Sequence, residues 1–458
     1  MRFYLFIYLN FCLIQVFSQN ENVFLLDSWK TSGLPTTYDG ESVYNEVWGF
    51  VENEIEYAVI ASTNGTHFFR ISDENKLIYI DFISGRYSGT EAVHRDYHDY
   101  NGYLYAVCDE NASSLQIIDL QYLPDSVSLV YDEDSLIVRS HNIFIDSASA
   151  LLYSCSNTTN TGFYPLSVYD ISNNYAPSFI SSYELVGHVH DAFVRNDTAY
   201  FNCGGEGLRV LDYTNPYMPL PLGQLSFYTD KGYNHAGWLS EDGNTYVLCD
   251  ETVGMRVKVL DVSDLGDIKV ASLFSSGFYD QTLPHNVILK DGIAYLSYYN
   301  DGLQIFNVRD IYNPQKLAYY DSYQGSNDNT YRGVWGVYPL LPSGRILISD
   351  RLNGLLLLGF NAPPKVNLGF QNGTDFIIFP NPTSSFAWFY HKHIGSPDYK
   401  LSIYSILGQL LNEYQGNQDY LLLDCSKYSI GTYIYKYKSN LSDIKFTGEF
   451  IVTGGSHP

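Results

Sequence analysis

A set of histidines recurs at nearly even spacing through the middle of the chain. In chain order these four residues are His141, His190, His235 and His285. Each of them begins a short apolar segment, as in HNIFI and HDAFV. Three similar segments begin instead at Trp48, Arg95 and Trp335. Imidazole titrates near physiological pH and is a common metal ligand, so such a set suits metal binding, proton transfer or recognition of a polar ligand.

These segments are the first strands of a repeated unit. Its most regular part is apolar-x-apolar-apolar-Asp, as in LRVLD at 208–212 and LQIFN at 303–307. The last residue of this pattern falls at positions 70, 119, 170, 212, 261, 307 and 359, which are 42 to 52 residues apart. A second strand lies between the first strand and this pattern, and a fourth strand follows the pattern. Four strands per repeat at this period are typical of one β-propeller blade. The sequence therefore predicts an all-β fold with a seven-bladed β-propeller over residues 19–360.

The seventh repeat lacks an outer strand after GLLLLGF at 354–360. A segment with the apolar pattern of an outer strand, VFLLDSW at 23–29, stands before the first repeat. We expect it to pair with the third strand of the last repeat, because closing the ring removes free sheet edges.

In a propeller the first strand of each blade lines the central channel, so the seven residues named above are expected to form one ring. Three interpretations remain open: a structural ring, a funnel for a polar ligand, and a metal or catalytic site with His190, His235 and His285 as participants. The expected width of the channel argues against a shared metal ion, and no nucleophile or metal-binding motif occurs in the sequence. We therefore predict no catalytic residue, no metal and no cofactor.

The favoured function is a non-catalytic binding scaffold for an unknown extracellular ligand, which is a protein, a glycan or a small molecule. The alternative is a secreted enzyme or metal-binding protein with its site in the central funnel.

Two acid pairs, Asp109-Glu110 and Asp250-Glu251, follow cysteines at the ends of second strands, and we expect them to lie in solvated turns. The cysteines at these strand ends are predicted to be small buried hydrophobic residues without disulfides. They are Cys108, Cys155, Cys203 and Cys249.

The net charge of −24 excludes a nucleic-acid partner, because few cations are present to neutralise phosphates.

The N-terminal MRFYLFIYLNFCLIQVFSQN has a basic start, an apolar run and a small residue at Ser18, which is typical of a signal peptide over residues 1–18. No other segment is long and apolar enough to span a membrane, so we expect no transmembrane segment in the mature chain.

The repeats resemble the choice-of-anchor B family, which contains LVIVD-type repeats. The resemblance extends over about residues 24–360 and is carried by HDAFVRNDTAYFNCGGEGLRVLD at 190–212 and PHNVILKDGIAYLSYYNDGLQIFNV at 284–308, among others. It implies a β-propeller attached to the cell surface. Arg70 departs from the acidic or amide residue usual at its position, and Tyr97 departs from the aromatic pattern near HRD.

The C-terminal part resembles the sorting domain of the type IX secretion system. The resemblance is carried by FIIFPNPTSSFAWFY at 376–390, YKLSIYSILGQLL at 399–411 and LLLDCSKYSIGTYIYKYK at 421–438. Its alternating apolar strands also predict a small β-sandwich over residues 376–453, after a linker at 361–375 and before a tail at 454–458. The residues matched to the sorting signal are Pro380, Asn381, Pro382, Gly408 and Gly431.

This second resemblance implies a partner and a location. The partner is the type IX secretion machinery, and the location is the outer-membrane surface or the extracellular space. Ser385 stands where glycine is usual, and TGGSHP extends beyond the usual basic-ended strand. Both departures bear on where the sorting domain is cleaved.

Overall fold

The computed structural model describes residues 20–278, 281–323, 325, 330–361, 376–379, 381–383, 386–391, 399–416, 420–425, 427–440 and 445–453. The chain divides into two compact units, residues 1–361 and 362–458. The described part is built from strands and turns, with a single 3-10 turn at Leu265–Asp267, so the predicted all-β class is confirmed. The expected signal peptide, residues 362–375 of the linker and the tail lie outside the described residues.

The first unit contains two short N-terminal strands and seven antiparallel sheets among its described residues. The N-terminal strands are β1 (Asn20–Glu21) and β2 (Val23–Trp29). The first sheet is β3 (Tyr44–Glu52), β4 (Ile55–Ser62), β5 (Gly65–Ile71) and β6 (Leu77–Ser84). The second is β7 (Arg95–Tyr100), β8 (Tyr103–Cys108), β9 (Leu115–Asp119) and β10 (Ser128–Glu133). The third is β11 (Asn142–Asp146), β12 (Leu151–Thr159), β13 (Gly162–Asp170) and β14 (Ser178–Tyr183).

The remaining four sheets of this unit follow the same chain order. The fourth is β15 (Asp191–Arg195), β16 (Thr198–Asn202), β17 (Leu208–Asp212) and β18 (Leu220–Leu225). The fifth is β19 (Asn234–Leu239), β20 (Thr245–Asp250), β21 (Val257–Asp261) and β22 (Lys269–Phe274). The sixth is β23 (Val287–Lys290), β24 (Ile293–Ser297), β25 (Leu303–Asn307) and β26 (Gln315–Tyr320), with β1 added beside β26. The seventh is β27 (Val334–Tyr338), β28 (Ile346–Asp350) and β29 (Gly354–Phe360), completed by β2.

The first strand of each sheet contacts the first strand of the next, and β27 contacts β3. The succession of sheets therefore returns to its start, an arrangement consistent with a β-propeller. Apolar side chains fill the space between neighbouring sheets. One such core joins Tyr153 and Val168 of the third sheet to Ala192 and Phe201 of the fourth, and all four are at most 3% exposed.

The predicted N-terminal closure is confirmed. Strand β2 pairs antiparallel with β29, and the register runs from Val23 opposite Phe360 to Trp29 opposite Leu355. The outer strand that the seventh repeat lacks is thus supplied by the N-terminal segment. Strand β1, which the sequence did not predict, extends the sixth sheet in the same way.

The last residue of the repeated pattern ends the third strand with a side-chain turn. Its carboxylate or amide oxygen accepts a hydrogen bond from the backbone N–H two residues later, which is why Asp and Asn recur there. The five bonds are Asp119 to Gln121, Asp170 to Ser172, Asp212 to Thr214, Asp261 to Ser263 and Asn307 to Arg309, at 2.7 to 3.1 Å.

The second unit contains two antiparallel sheets in its described part. The first sheet is β30 (Phe376–Phe379), β31 (Phe386–His391) and β34 (Tyr420–Asp424). The second is β32 (Tyr399–Ser405), β33 (Leu410–Gly416), β35 (Gly431–Ser439) and β36 (Lys445–Val452). Phe389 and Leu423 of the first sheet share one core with Leu401 and Phe450 of the second, and all four are fully buried.

The cysteines of the described residues are all buried and free. Burial of Cys108, Cys155, Cys203 and Cys249 confirms that they act as small core residues. Among the described residues, no helix has the length and apolar character needed to cross a membrane.

Candidate functional site

Six aromatic side chains form a closed circle where the first strands of the sheets begin. In order around the circle they are His94, His141, His190, His235, His285 and Trp335. Successive ring centroids are 4.9, 4.1, 3.9, 4.6 and 4.6 Å apart, and Trp335 returns to His94 at 5.3 Å. Neighbouring imidazoles are therefore in contact, and the wide separation expected from the sequence does not occur.

The backbone at the start of the first strands aims these side chains at the channel. Residues two apart on a strand share a face, so Asp96 and His98, or Asn142 and Phe144, point the same way. An irregularity in the strand pairing lies between Asn234 and Ala236 and inserts His235 there. Such a bulge redirects a side chain.

The same irregularity lies between Val334 and Gly336, at Trp335. The channel wall carries successive layers. Below the circle lies a layer of carboxyl and amide groups, followed by a second aromatic layer. The carboxyl and amide layer is Glu46, Asp96, Asn142, Asp191 and Asn286, and the second aromatic layer is Trp48, His98, Phe144 and Trp238.

Two of the seven residues predicted for one ring do not belong to the circle. Trp48 lies in the second aromatic layer, where its indole N–H donates to Asp99 Oδ1 at 2.8 Å and its ring centroid is 4.8 Å from that of His98. The prediction for Trp48 was wrong because the pairing of β3 with β4 is irregular between Tyr44 and Val47. This irregularity shifts Trp48 along its strand, so that it is not structurally equivalent to Trp335 in WGV.

Arg95 lines the cavity that the circle surrounds. Its guanidinium, however, donates to Ser62 O at 3.0 Å and to Tyr87 O at 2.5 Å. Arg95 therefore ties its sheet to the preceding one. The neighbouring His94 takes the place in the circle that the sequence assigned to Arg95. In the first sheet, Glu46 lines the cavity two residues before Trp48. The sequence signal for His94 was its position next to Arg95 in HRD, and only the backbone direction distinguishes the two.

Carboxylates from the ends of second strands lie beside three of the imidazoles, and two of them are within hydrogen-bond distance. His141 Nδ1 lies 2.8 Å from Asp109 Oδ2, and His94 Nδ1 lies 2.6 Å from Glu110 Oε1. Glu251 Oε2 lies 3.6 Å from His235 Nε2. The expectation of solvated turns is therefore wrong for these acids, because the ends of second strands meet the starts of first strands at one rim of the sheets.

Asp250, the neighbour of Glu251, is fully buried, with Oδ2 2.6 Å from Lys258 Nζ. That pair lies within the fifth sheet. It does not line the cavity.

Burial keeps the deepest histidines neutral. It lowers the pKa of His285 to about 3 and holds the pKa of His190 and of His235 well below the usual range, with neighbouring imidazoles adding to the shift. His285 Nδ1 lies 2.6 Å from the backbone oxygen of Trp335 and donates to it, so the lone pair is on Nε2. Nδ1 of His190 is buried without a hydrogen-bond partner among the described residues.

Three carboxyl groups form the layer beneath the circle. Burial, followed by repulsion from Asp96, raises the pKa of Glu46 to about 8. Burial also raises the pKa of Asp96 to about 7 and that of Asp191 well above its usual range. Asp96 Oδ2 accepts from the backbone N–H of Ile143 at 2.7 Å, which links neighbouring sheets.

The circle and the carboxyl layer enclose a cavity of about 60 Å³. A water molecule needs roughly 10–15 Å³ of such space, so the cavity has room for an ion or a small ligand with a few waters. The side chains of His94 and His141, 33% and 18% exposed, stand on its solvent side. A second cavity, also about 60 Å³, lies beside Trp48, Phe144 and Trp238 and shares the carboxyl layer.

The residues matched to the sorting signal are spread over the second unit. Asn381 Oδ1 accepts from the backbone N–H of Ile451 at 2.9 Å and so joins the segment that follows β30 to β36. Pro382 follows Asn381, and Gly408 occupies the turn between β32 and β33 with a φ of +84°. Gly431 begins β35. Pro380 lies outside the described residues.

Residues 377–453 match the secretion system C-terminal sorting domain family. This domain implies export by type IX secretion to the cell surface or the extracellular space. No curated protein has a significant sequence match to the chain.

Many solved structures are similar to the chain, and three of them are PorZ, the WD40 repeats of RRP9 and a protein from Lactobacillus plantarum. PorZ, a surface component of the type-IX secretion system of Porphyromonas gingivalis, aligns over 93% of this chain and 61% of its own at 10% identity, with a TM-score of 0.49. The chain thus spans about three fifths of the length of that structure. The WD40 repeats of RRP9 align over 74% of this chain and 97% of theirs at 11% identity, with a TM-score of 0.51. A protein from Lactobacillus plantarum aligns over 83% and 100% at 12% identity, with a TM-score of 0.51. The last two similarities support the propeller-like fold.

Proposed function

We propose that the chain is an exported, cell-surface or secreted seven-bladed β-propeller that binds a small extracellular ligand without transforming it. The seven sheets are its blades, and the second unit is a β-sandwich sorting domain that directs outer-membrane translocation and surface anchoring. The N-terminal segment directs passage across the inner membrane. The resemblance of the repeats to the choice-of-anchor B family is part of this proposal.

The circle of five imidazoles and one indole around a small cavity carries the proposal. A ring that served only to join blades would have its buried polar atoms paired, because an unpaired buried polar group costs about 1–3 kcal/mol. In the circle, Nδ1 of His190 is buried without a protein partner among the described residues. A bound ligand would give this atom a partner. The size of the cavity favours an ion or a small molecule over a glycan or a peptide.

One observation favours the alternative of an enzyme with its site in the same channel. The pKa values of Glu46, about 8, and of Asp96, about 7, are close to the pH at which a general acid or base works best. Binding remains the preferred function because the sequence contains no recognised nucleophile motif.

A thermal-shift screen of the exported protein against small ions, small molecules and glycans tests this proposal. We expect at least one small ligand to raise the melting temperature of the wild type but not of His190→Phe, which removes both ring nitrogens and places a larger apolar ring at the cavity. The matched control is His188→Gln. His188 lies beside the circle, and both of its ring nitrogens have partners, Ser156 Oγ at 2.9 Å and Tyr233 Oη at 2.7 Å. An organic ligand that stabilises His190→Phe as much as the wild type would place its site elsewhere.

A further inference from the structure

Three side chains on one side of the circle bring their donor atoms together. They are His235, Glu251 and His285, and one donor atom from each lies within 4.8 Å of the other two. His235 and His285 are 4% and 3% exposed, and the side chain of Glu251 is 16% exposed. Two imidazoles and a carboxylate are a donor set that suits divalent first-row transition metals, whereas Ca²⁺ and Mg²⁺ prefer oxygen ligands.

The groups that hydrogen-bond the outer atoms of His285 and Glu251 leave the inward-facing atoms of both side chains available. His285 Nδ1 donates to the backbone oxygen of Trp335, so Nε2 is the atom that can coordinate. The Tyr299 hydroxyl donates to Glu251 Oε1 at 2.5 Å, which leaves Oε2 available. Metal-binding histidines and carboxylates are usually oriented by such outer hydrogen bonds.

The distance between the donor atoms of His235 and Glu251 is too long for a hydrogen bond. His235 Nε2 and Glu251 Oε2 are 3.6 Å apart. Two ligands placed about 2.1 Å from one tetrahedral ion lie roughly 3.4 Å from each other. The gap therefore matches two ligands that share an ion.

A second group, His94, Asp109 and His141, also has donor atoms within 4.8 Å of one another. Here, however, Asp109 and the adjacent Glu110 already accept hydrogen bonds from the imidazoles. This group is also more exposed. Its carboxylates orient the outer histidines, so it is a poorer candidate than the buried set.

We propose that His235, Glu251 and His285 bind one divalent transition-metal ion in the cavity, with a remaining coordination position open to water or to a small ligand. The inference rests on the proposed function and specifies the ligand of the same cavity. The ring centroid of His190 is 3.9 Å from that of His235, so its imidazole is placed to contact a group bound at the open position.

The test uses the exported protein without a polyhistidine tag, freed of metal with a chelator. Titration calorimetry with Zn²⁺ and absorption spectra with Co²⁺ measure the stoichiometry and the coordination. We expect about one ion per chain bound with micromolar or tighter affinity, and Co²⁺ absorption typical of nitrogen and oxygen ligands. Mg²⁺ is expected to give no heat. A chain that binds neither Zn²⁺ nor Co²⁺ would refute the proposal.

Two variants locate the ion. Glu251→Gln keeps an acceptor for Tyr299, and His285→Gln removes the coordinating ring. We expect each to weaken Zn²⁺ binding at least about 100-fold, whereas His188→Gln leaves it unchanged. Circular dichroism checks the fold, and if one variant does not fold, His235→Gln replaces it. Equal losses in His188→Gln and in Glu251→Gln would overturn the assignment.

Failure of the metal site and failure of the proposed function give different results. If Zn²⁺ does not bind but an organic molecule stabilises the wild type and not His190→Phe, the cavity remains a ligand site and the metal inference is wrong. If Zn²⁺ does not bind and no other ligand distinguishes the wild type from His190→Phe, both proposals are wrong.

Discussion

Ionisable side chains can share the narrow channel because burial favours their neutral forms. The pKa values of Glu46 and Asp96 rise, and that of His285 falls, for the same physical reason. A charged group would lose its hydration in the channel, and the protonated acid and the neutral imidazole avoid that cost. Neutral imidazoles are also the form that binds metals.

His67 provides a test of the same effect away from the cavity. Burial among the rings of Trp29 and Phe82, 4.9 and 4.7 Å away, lowers the pKa of His67 to about 4. The unfolded chain, with a pKa of about 6.5, then binds a proton more tightly than the folded chain. The stabilising effect of neutral His67 is therefore complete above pH 6.5 and decreases as the pH falls toward 4, by up to roughly 3 kcal/mol.

We expect His67→Phe to lose less stability than the wild type between pH 7.5 and pH 4.5. Urea unfolding at several pH values measures the difference. Comparing the two proteins cancels the carboxyl groups that titrate in both. Identical pH dependence in the two proteins would mean that His67 becomes protonated without cost in the folded state.

At the scale of strands, the joint between the first and last sheets depends on N-terminal residues. Trp29 of β2 packs against Phe69 and Tyr79 of the first sheet, with ring centroids 4.8 and 5.9 Å apart, while its backbone pairs with β29. One strand thus connects both sides of the joint.

Trp29→Ala is expected to lower the free energy of unfolding by about 2–4 kcal/mol, because it removes a large, partly buried ring from this contact. Phe24→Ala on the same strand is the matched control. Phe24 is 43% exposed, so its loss should cost less than about 1 kcal/mol. Chemical denaturation measures the free energy of unfolding of both variants. Equal losses in the two variants would show that β2 acts only through its backbone pairing.

A buried ion pair forms the second part of the joint. Arg345 Nε and Nη2 lie 3.1 and 2.8 Å from Glu56 Oε2, and Glu56 also accepts from the N–H and hydroxyl of Ser343. Removing the carboxylate leaves these donors and a largely buried guanidinium unpaired. We expect Glu56→Ala to cost about 2–4 kcal/mol.

The exposed pair of Lys76 and Asp27, at 3.4 Å, is the comparison, and Lys76→Ala should cost less than about 1 kcal/mol. Chemical denaturation in low and in high salt distinguishes the Glu56–Arg345 pair from the Lys76–Asp27 pair, because salt screens only the exposed pair. A strong salt dependence of the Glu56 contribution would contradict its burial in the joint.

The repeat, the strands and the N-terminal closure could be predicted because apolar alternation and turn residues are local features of the sequence. The details of the circle could not. Whether Arg95 or His94 faces the channel, and whether Trp48 belongs to the circle, depends on strand irregularities near Tyr44 that no local pattern reveals. The position of Glu251 depends on which strand ends meet at the rim, which is a property of the closed arrangement.

At the scale of the whole chain, folding and export are expected to be separable. The sheets of the first unit close through β2 and β29, which end before residue 362, and the sorting domain match begins at residue 377. A chain ending at Asn361 should therefore keep the closed arrangement of sheets and the cavity. It should lack the signal that directs passage across the outer membrane.

Expression of the full and the shortened chain in a bacterium with type IX secretion tests this separation. We expect the full chain at the surface or in the medium and the shortened chain only inside the cell envelope. The purified shortened chain should have the circular dichroism of a β-sheet protein and melt cooperatively, because no strand of its ring is missing. Surface display of the shortened chain would show that export does not depend on residues 362–458, and loss of cooperative melting would show that the first unit needs the second to fold.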